Sequence, residues 1–242
     1  MTTLLALDVG NGSLKHGLFA DARLIAQGRL PLDFDPARLP AADLAAAVSV
    51  NPRALARLRR ARPLLVVGED LPLPLAVEYD PPGACGLDRV AGAAGALLLV
   101  PEAPGILLLD AGTCLTATVA IRGRGVIGGA ILPGPELMAR ALAEGTAALP
   151  LVDPFPREEG IGRSTAASIR VGIQAAVAGA ARELIRRSRE AAPVPLATVV
   201  AGTGARGLKE AVEEIEHVHE NAVLWGIWLA WRKGGGMGEG LL

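Results

Sequence analysis

Aromatic residues and cysteines are scarce in this 242-residue chain. It has three Phe, three Trp and one Tyr, so its core must be built from the aliphatic residues that dominate its 51% hydrophobic content. Two cysteines, Cys85 and Cys114, are too few for a disulfide framework or a cysteine-rich zinc site. We therefore expect a protein of the reducing cytoplasm.

Neither an excess of one charge nor a long apolar run is present. Twenty-four Lys and Arg against 25 Asp and Glu give a net charge of −1, which favours neither a nucleic-acid partner nor a membrane surface. The longest apolar run covers residues 90–100, whereas a helix that spans a membrane needs about 20 residues. The first residues lack a basic stretch and meet a charge at Asp8, unlike a signal peptide.

One pattern occurs twice along the chain. An apolar strand runs into Asp8 and a glycine turn at Gly10, and a second apolar strand runs into Asp110 and a glycine turn at Gly112. In both places an alternating segment follows, which predicts a β-hairpin. A repeat of this size indicates a duplicated domain. We expect an α/β protein with domains at residues 1–105 and 106–233 and a flexible tail at 234–242.

Hydrophobic periodicity and turn residues predict the remaining elements. We expect helices at residues 41–48, 53–61, 87–99, 136–147, 164–189, 208–215 and 221–232. Further strands are expected at residues 64–67, 75–79 and 197–200, with one more between Gly129 and Pro133.

Three predicted strands end in a glycine turn: the strands before Gly10, before Gly112 and before Gly202. Glycine lets a backbone amide approach a phosphate oxygen, and a strand-end aspartate can hold a cation beside it. Two such hairpins would grip a polyphosphate, and the third turn would face a nucleoside. Lys15, which follows the first turn, would then neutralise a phosphate. Alternatively, the glycines serve the turns alone and Lys15 is a solvated lysine.

A charged pair, Asp88-Arg89, opens the apolar helix predicted at residues 87–99. Asp is favoured near a helix N-terminus by capping and by the helix dipole, which explains Asp88 without a function. In the functional interpretation, Asp88 positions a substrate hydroxyl as a general base and Arg89 binds a carboxylate.

Taken together, these motifs resemble those of type III pantothenate kinases, the family that includes the Bvg accessory factors. The motifs follow the family order over nearly the whole chain. They are Asp8–Asn11, Gly86–Arg89, Asp110–Thr113, Gly128–Gly134, Thr146–Pro150 and Ser164-Thr165.

The resemblance implies a fold and an activity. The fold would be that of the acetate and sugar kinase, Hsp70 and actin superfamily, with two similar domains around a central cleft that binds ATP. The reaction would be ATP-dependent phosphorylation of pantothenate to 4'-phosphopantothenate, the first step of coenzyme A biosynthesis. The enzyme would be a homodimer that uses potassium or ammonium, with Mg²⁺ accompanying ATP.

The resemblance also implies roles for individual residues. Asp88 would be catalytic, and Asp110 would bind the monovalent cation. The residues implied to contact pantothenate are Tyr79, Gly86, Leu87, Asp88, Arg89 and Thr165. Those implied to contact ATP are Asp8, Val9, Gly10, Asn11, Gly12, Ser13, Leu14, Lys15 and Thr113.

The helix predicted at residues 164–189 carries small residues, among them Gly172, Ala176 and Gly179, which permit another helix to approach closely. Such a helix favours a two-fold homodimer, and the resemblance implies that Thr165 completes the site of the other chain. Two other functions stay open: a non-catalytic binding or regulatory relative of the same fold, and a kinase of this superfamily that acts on another hydroxy acid.

Overall fold

The computed structural model of the chain describes residues 2–81 and 83–235. Its contacts divide the chain into two compact units. The first unit comprises residues 1–106, 119–128 and the segment from Asn221 onward, and the second comprises residues 107–118 and 129–220. The division predicted at 105/106 and 233/234 stays a prediction. Of the predicted tail, residues 236–242 lie outside the described residues, while Gly234 belongs to a helix.

The first sheet has five strands in the order β3-β2-β1-β4-β5. β1 pairs with β2 in antiparallel and with β4 in parallel orientation. One face packs on an aliphatic cluster that includes Leu5, Leu14 and Leu58. The strands are β1 Thr3–Val9, β2 Ser13–Ala20, β3 Arg23–Pro31, β4 Leu44–Ser49 and β5 Leu65–Val66.

The second sheet repeats this topology. Its order, read from the same end, is β8-β7-β6-β9-β10, so each strand has the same neighbours as its counterpart in the first sheet. The two-residue link between β6 and β7 corresponds to the turn between β1 and β2. The duplicated α/β architecture predicted from the repeat is confirmed. The strands are β6 Gly105–Ala111, β7 Cys114–Ile121, β8 Gly125–Pro133, β9 Leu196–Ala201 and β10 His217–Val218.

Six α-helices accompany the sheets in the described part of the chain. Asn51 and Ser164 cap the first and fourth of them, because their side-chain oxygens accept the backbone N–H of Ala54 and Ala167. None of the described helices is long and apolar enough to cross a membrane. The helices are α1 Pro52–Ala61, α2 Leu87–Leu99, α3 Pro135–Gly145, α4 Thr165–Ala191, α5 Ala205–Ala211 and α6 Ala222–Gly234.

Two predictions of secondary structure are wrong. Residues 41–48, rich in alanine, were expected as a helix, but from Leu44 they form most of β4, because the buried Ala45–Val48 pair with the central strand β1. Burial in a sheet here overrides a high helix propensity. Residues 75–79 were expected as a strand, but they form only a single bridge, from Val77 to Val126.

Other boundaries differ by a few residues. α3 ends at Gly145 and α5 ends at Ala211, before the predicted ends. α5 also begins at Ala205, three residues before its predicted start at position 208. β8 runs through the predicted turn at Gly128 and Gly129. The edge strands β3 and β10 have no counterpart in the prediction.

α2 and α6 cross at glycines within the first unit. A Cβ added to Gly95 would overlap the carbonyl oxygen of Ala222, and one added to Gly226 would overlap the carbonyl oxygen of Ala91. The backbones of the two helices are thus in direct contact. Both helices are almost wholly buried, so this contact sets the position of α2 within the unit.

Phe19 and two tryptophans of α6 form an aromatic cluster in the first unit. The ring of Phe19 in β2 packs edge-on against Trp225, with centroids 5.0 Å apart, and stacks on Trp228 at 6.3 Å. The indole of Trp228 donates a hydrogen bond to the carbonyl oxygen of Asp21 at 2.8 Å. This cluster anchors α6 to the β2–β3 hairpin.

We expect glycine-to-alanine substitutions to have opposite effects in two helices. Gly226→Ala places a methyl group against the backbone of α2 and should lower the free energy of unfolding by about 3 kcal/mol. Gly207→Ala in α5, where an added Cβ meets nothing within 4 Å, should raise it by up to about 1 kcal/mol. Chemical denaturation measures both. Equal effects of the two substitutions would contradict the close crossing.

Candidate functional site

The first candidate site residues lie in the β1–β2 hairpin. Asp8 is buried at the end of β1 and lies directly across from Lys15 of β2. The Lys15 ammonium is 3.8 Å from Asp8 Oδ2. Lys15 faces away from Leu14, which is buried in the aliphatic cluster on the other face of the sheet. The alternation predicted for this strand is confirmed.

The turn between these strands presents its backbone to solvent. The Gly10 N–H donates to the Ser13 carbonyl at 3.1 Å, which closes the turn, while Asn11 and Gly12 are exposed. The side chains of Val9 and Leu14 are fully buried, so a ligand at the turn can meet only the backbone of these two residues.

One residue that the sequence did not single out joins this hairpin. Arg29 of β3 lies directly across from Lys15, and its Nε donates to Ser13 Oγ at 2.8 Å. Only the pairing of β3 with β2 could reveal this contact. No sequence pattern marks Arg29, because exposed arginines are common in this chain.

The second group of candidate residues lies at the start of α2. Gly86 is the N-cap, and Asp88 Oδ1 accepts the N–H of Arg89 at 2.9 Å. A Cβ added to Gly86 would lie only 2.6 Å from Asp88 Oδ1. The Asp88 carboxylate therefore folds back over Gly86. Because the φ of Gly86 is an ordinary −55°, the carboxylate and not the backbone accounts for glycine at this position.

Arg89 and Tyr79 are in contact beside Asp88. The Arg89 guanidinium is buried, donates to the Tyr79 hydroxyl at 2.9 Å and lies 5.7 Å from the centre of its ring. Burial raises the pKa of the nearby Cys85 thiol, an effect that the positive charge of Arg89 partly opposes. Three of the predicted pantothenate contacts thus form one group in the first unit.

Asp110 is the equivalent strand-end aspartate in the second unit. Gly202, at φ +87°, lies directly against it, because an added Cβ would overlap Asp110 Oδ1 and lie 2.6 Å from the Ala111 carbonyl oxygen. The Gly204 N–H donates to that same carbonyl at 2.9 Å. The third glycine turn thus packs on the Asp110 turn, a placement that its sequence alone did not indicate.

Thr113 lies in the β6–β7 turn, which packs against Gly134. The Gly112 N–H donates to the Cys114 carbonyl at 3.0 Å, and the Gly134 N–H donates to the Thr113 carbonyl at 3.0 Å. A Cβ on Gly134 would overlap the carbonyl oxygen of Gly112 and lie 2.6 Å from that of Thr113. The carbonyl oxygens of Gly112 and Thr113 therefore face Gly134.

Thr165 is the exposed first residue of α4 in the second unit. Farther along α4, Gly172 and Gly179 are exposed, and an added Cβ would meet nothing within 4 Å at either position. Within residues 2–81 and 83–235, no group of three or more His, Cys, Asp or Glu side chains could hold a metal ion.

The chain matches the family model described as type III pantothenate kinase over residues 4–187. A type III pantothenate kinase of Desulfovibrio desulfuricans is 32% identical over 249 residues, which cover 93% of this chain and 94% of that protein. The Thermus thermophilus type III pantothenate kinase is 30% identical, with 93% of this chain and 96% of that protein covered.

Solved structures of low sequence identity show the fold. A putative Baf family transcriptional activator from Campylobacter jejuni superposes with a TM-score of 0.64 at 15% identity, covering 96% of this chain and 98% of that one. This likeness concerns the fold alone. With the sugar-kinase-like structures among the neighbours, it confirms the predicted duplicated actin-like α/β fold.

Proposed function

The chain belongs to the type III pantothenate kinase family, and we propose that Asp88 is the carboxylate that positions the substrate hydroxyl. The enzyme phosphorylates pantothenate with ATP, the first step of coenzyme A biosynthesis. No observation favours the non-catalytic alternative. The observation that carries the proposal for Asp88 is the position of its carboxylate at the N-terminus of α2, folded over Gly86.

The chemistry asked of Asp88 is modest. Phosphoryl transfer depends on positioning and charge neutralisation more than on covalent help from the protein. The pKa of a primary alcohol is far above that of a carboxylate, so Asp88 orients the hydroxyl and accepts its proton late in the transfer. The N–H of Arg89, which donates to Oδ1, holds the carboxylate in one orientation for this task.

The residues beside Asp88 suit the rest of pantothenate. Its carboxylate calls for a cationic or hydroxyl partner, and Arg89 with Tyr79 offers both. Their mutual hydrogen bond fixes both side chains before substrate arrives. Gly86 and Leu87, at the start of the same helix, complete this group. We assign Thr165, at the start of α4, to pantothenate as well.

The β1–β2 hairpin is assigned to the phosphates of ATP. Asn11 and Gly12 are exposed in a glycine turn that Lys15 follows, and such a turn with a nearby cation is suited to binding a polyphosphate. The ATP contacts assigned here are Asp8, Val9, Gly10, Asn11, Gly12, Ser13, Leu14 and Lys15, with Thr113 in the second unit. A divalent cation such as Mg²⁺ accompanies ATP in this class of reaction.

Asp110 is assigned to a monovalent cation, potassium or ammonium. The donor types fit such an ion, because Asp110 Oδ1 and the carbonyl oxygen of Ala111 both lie against Gly202, and carboxylate and carbonyl oxygens are suitable ligands. Bound there, the ion would supply positive charge beside the nucleotide.

We also assign the enzyme to the cytoplasm, where its phosphoryl donor is available. We further propose that it forms a homodimer through α4.

Asp88→Asn tests the catalytic assignment. Asparagine keeps an oxygen that accepts the Arg89 N–H, so the helix start is preserved while the charge is lost. Turnover, followed by ADP release with pantothenate, should fall about 10²- to 10⁴-fold with little change in the KM for ATP. Asp80→Asn, at an exposed position in the preceding segment, is the control and should be unaffected. Wild-type turnover in Asp88→Asn would contradict the catalytic role and leave Asp88 only its role at the N-terminus of α2.

Asp110 is tested by replacing sodium with potassium or ammonium in the same assay. The wild-type enzyme should need one of these ions, and Asp110→Asn should lose both the dependence and most of the activity. Gly202→Ala, which displaces the carboxylate without changing its charge, should weaken the ion dependence. Gly160→Ala is its control, because Gly160 also has positive φ but has open space around it. Full wild-type activity in sodium alone would argue against the ion.

Gly172→Leu tests the dimer. Gly172 is exposed and an added Cβ would meet nothing within 4 Å in the single chain, so we expect any loss to come from a partner helix. Sedimentation should show a weaker dimer, and the KM for pantothenate should rise with it, because Thr165 serves the other chain. Gly207→Leu, on the exposed face of α5, should leave both unchanged. A monomeric variant with normal KM for pantothenate would refute the shared site, and a monomeric wild-type protein would refute the dimer.

A further inference from the structure

We propose that Arg29 is a second phosphate-binding cation of the β1–β2 hairpin, with its terminal guanidinium nitrogens directed to the polyphosphate of ATP. The inference rests on the proposed assignment of Asp8–Lys15 to ATP. It adds a residue from a neighbouring strand that lies outside this assignment.

Three charged residues form a row across neighbouring strands. In the sheet register, Asp8 of β1 faces Lys15 of β2, and Lys15 in turn faces Arg29 of β3. All three side chains therefore project from the same face of the sheet, beside the turn at Gly10–Gly12. The row places two cations beside the turn, in which Asn11 and Gly12 are exposed.

The charges in this row do not balance. Asp8, at 3.8 Å from the Lys15 ammonium, can offset one positive charge. Like charges directly across from each other in a sheet are destabilising, and among the described residues no carboxylate lies within 4.0 Å of Arg29. An anion bound at the turn would relieve this repulsion, because it would face both cations.

Arg29 is held in place although it lacks an ion pair within the described chain. Its Nε donates to Ser13 Oγ at 2.8 Å, which leaves the two terminal nitrogens as donors for a ligand. Guanidinium groups bind phosphate oxygens through such paired donors.

The same hydrogen bond orients Ser13. Because the hydroxyl oxygen accepts from Arg29, its single O–H is left to donate elsewhere. Ser13 is the first residue of β2, immediately after the exposed turn. Arg29 thus presents its two terminal nitrogens and leaves the Ser13 O–H as a further donor, and these groups suit the oxygens of a polyphosphate.

Arg29→Gln tests the inference through the separate kinetic constants. The KM for ATP should rise about 10- to 100-fold, as expected for the loss of charge-assisted hydrogen bonds, while the KM for pantothenate stays unchanged. Inorganic triphosphate should raise the melting temperature of the wild-type protein more than that of the variant. Arg23→Gln, at the exposed other end of β3, is the matched control and should behave as wild type in both measurements.

Lys15→Gln, measured in parallel, separates this inference from the assignment on which it rests. If Lys15→Gln raises the KM for ATP and Arg29→Gln does not, the role of Arg29 is overturned and the hairpin assignment stands. If neither raises it, both are overturned. A fall in melting temperature with unchanged KM for ATP would mean that Arg29 is only structural, which also overturns the inference.

Arg29→Lys decides the matter if Arg29→Gln does not fold. One ammonium group keeps the charge but cannot hold Ser13 and a phosphate with the geometry of a guanidinium. A raised KM for ATP with unchanged KM for pantothenate supports the role of Arg29, and a wild-type KM for ATP overturns it.

Discussion

The contact between the backbones of α2 and α6 is the constraint on which the first unit depends. Two buried helices can approach this closely only where neither carries a side chain, and Gly95 and Gly226 meet that condition. Since α2 carries Asp88 and Arg89 at its first turn, the crossing also positions the catalytic candidates. The helix α6, which is distant in sequence, thereby fixes the position of Asp88 and Arg89.

Asp88, at the start of α2, and Asp110, at the end of β6, share a second constraint, which is a neighbouring glycine. Asp88 lies over Gly86, and Asp110 lies against Gly202, and in both places a β-carbon would occupy the space that the carboxylate needs. Each carboxylate can take its position only because the residue beside it is a glycine.

Much of this could be predicted from the sequence, because it depends on local patterns. The repeated Asp-x-Gly hairpins gave the duplicated topology, and the apolar segment at residues 87–99 has the bounds of α2. Pairings between distant segments could not be predicted. Alanines 45–47 became a strand through their partners in β1, and Arg29 and Gly202 acquired their neighbours only when the strands were placed side by side.

The position of the aromatic residues has a spectroscopic consequence. The three tryptophans of the chain, Trp225, Trp228 and Trp231, all lie on α6, and the only aromatic residue of the second unit is Phe155. Intrinsic fluorescence therefore reports on the first unit alone. Circular dichroism is needed to observe the second unit. Agreement between the two probes would show that the units unfold together.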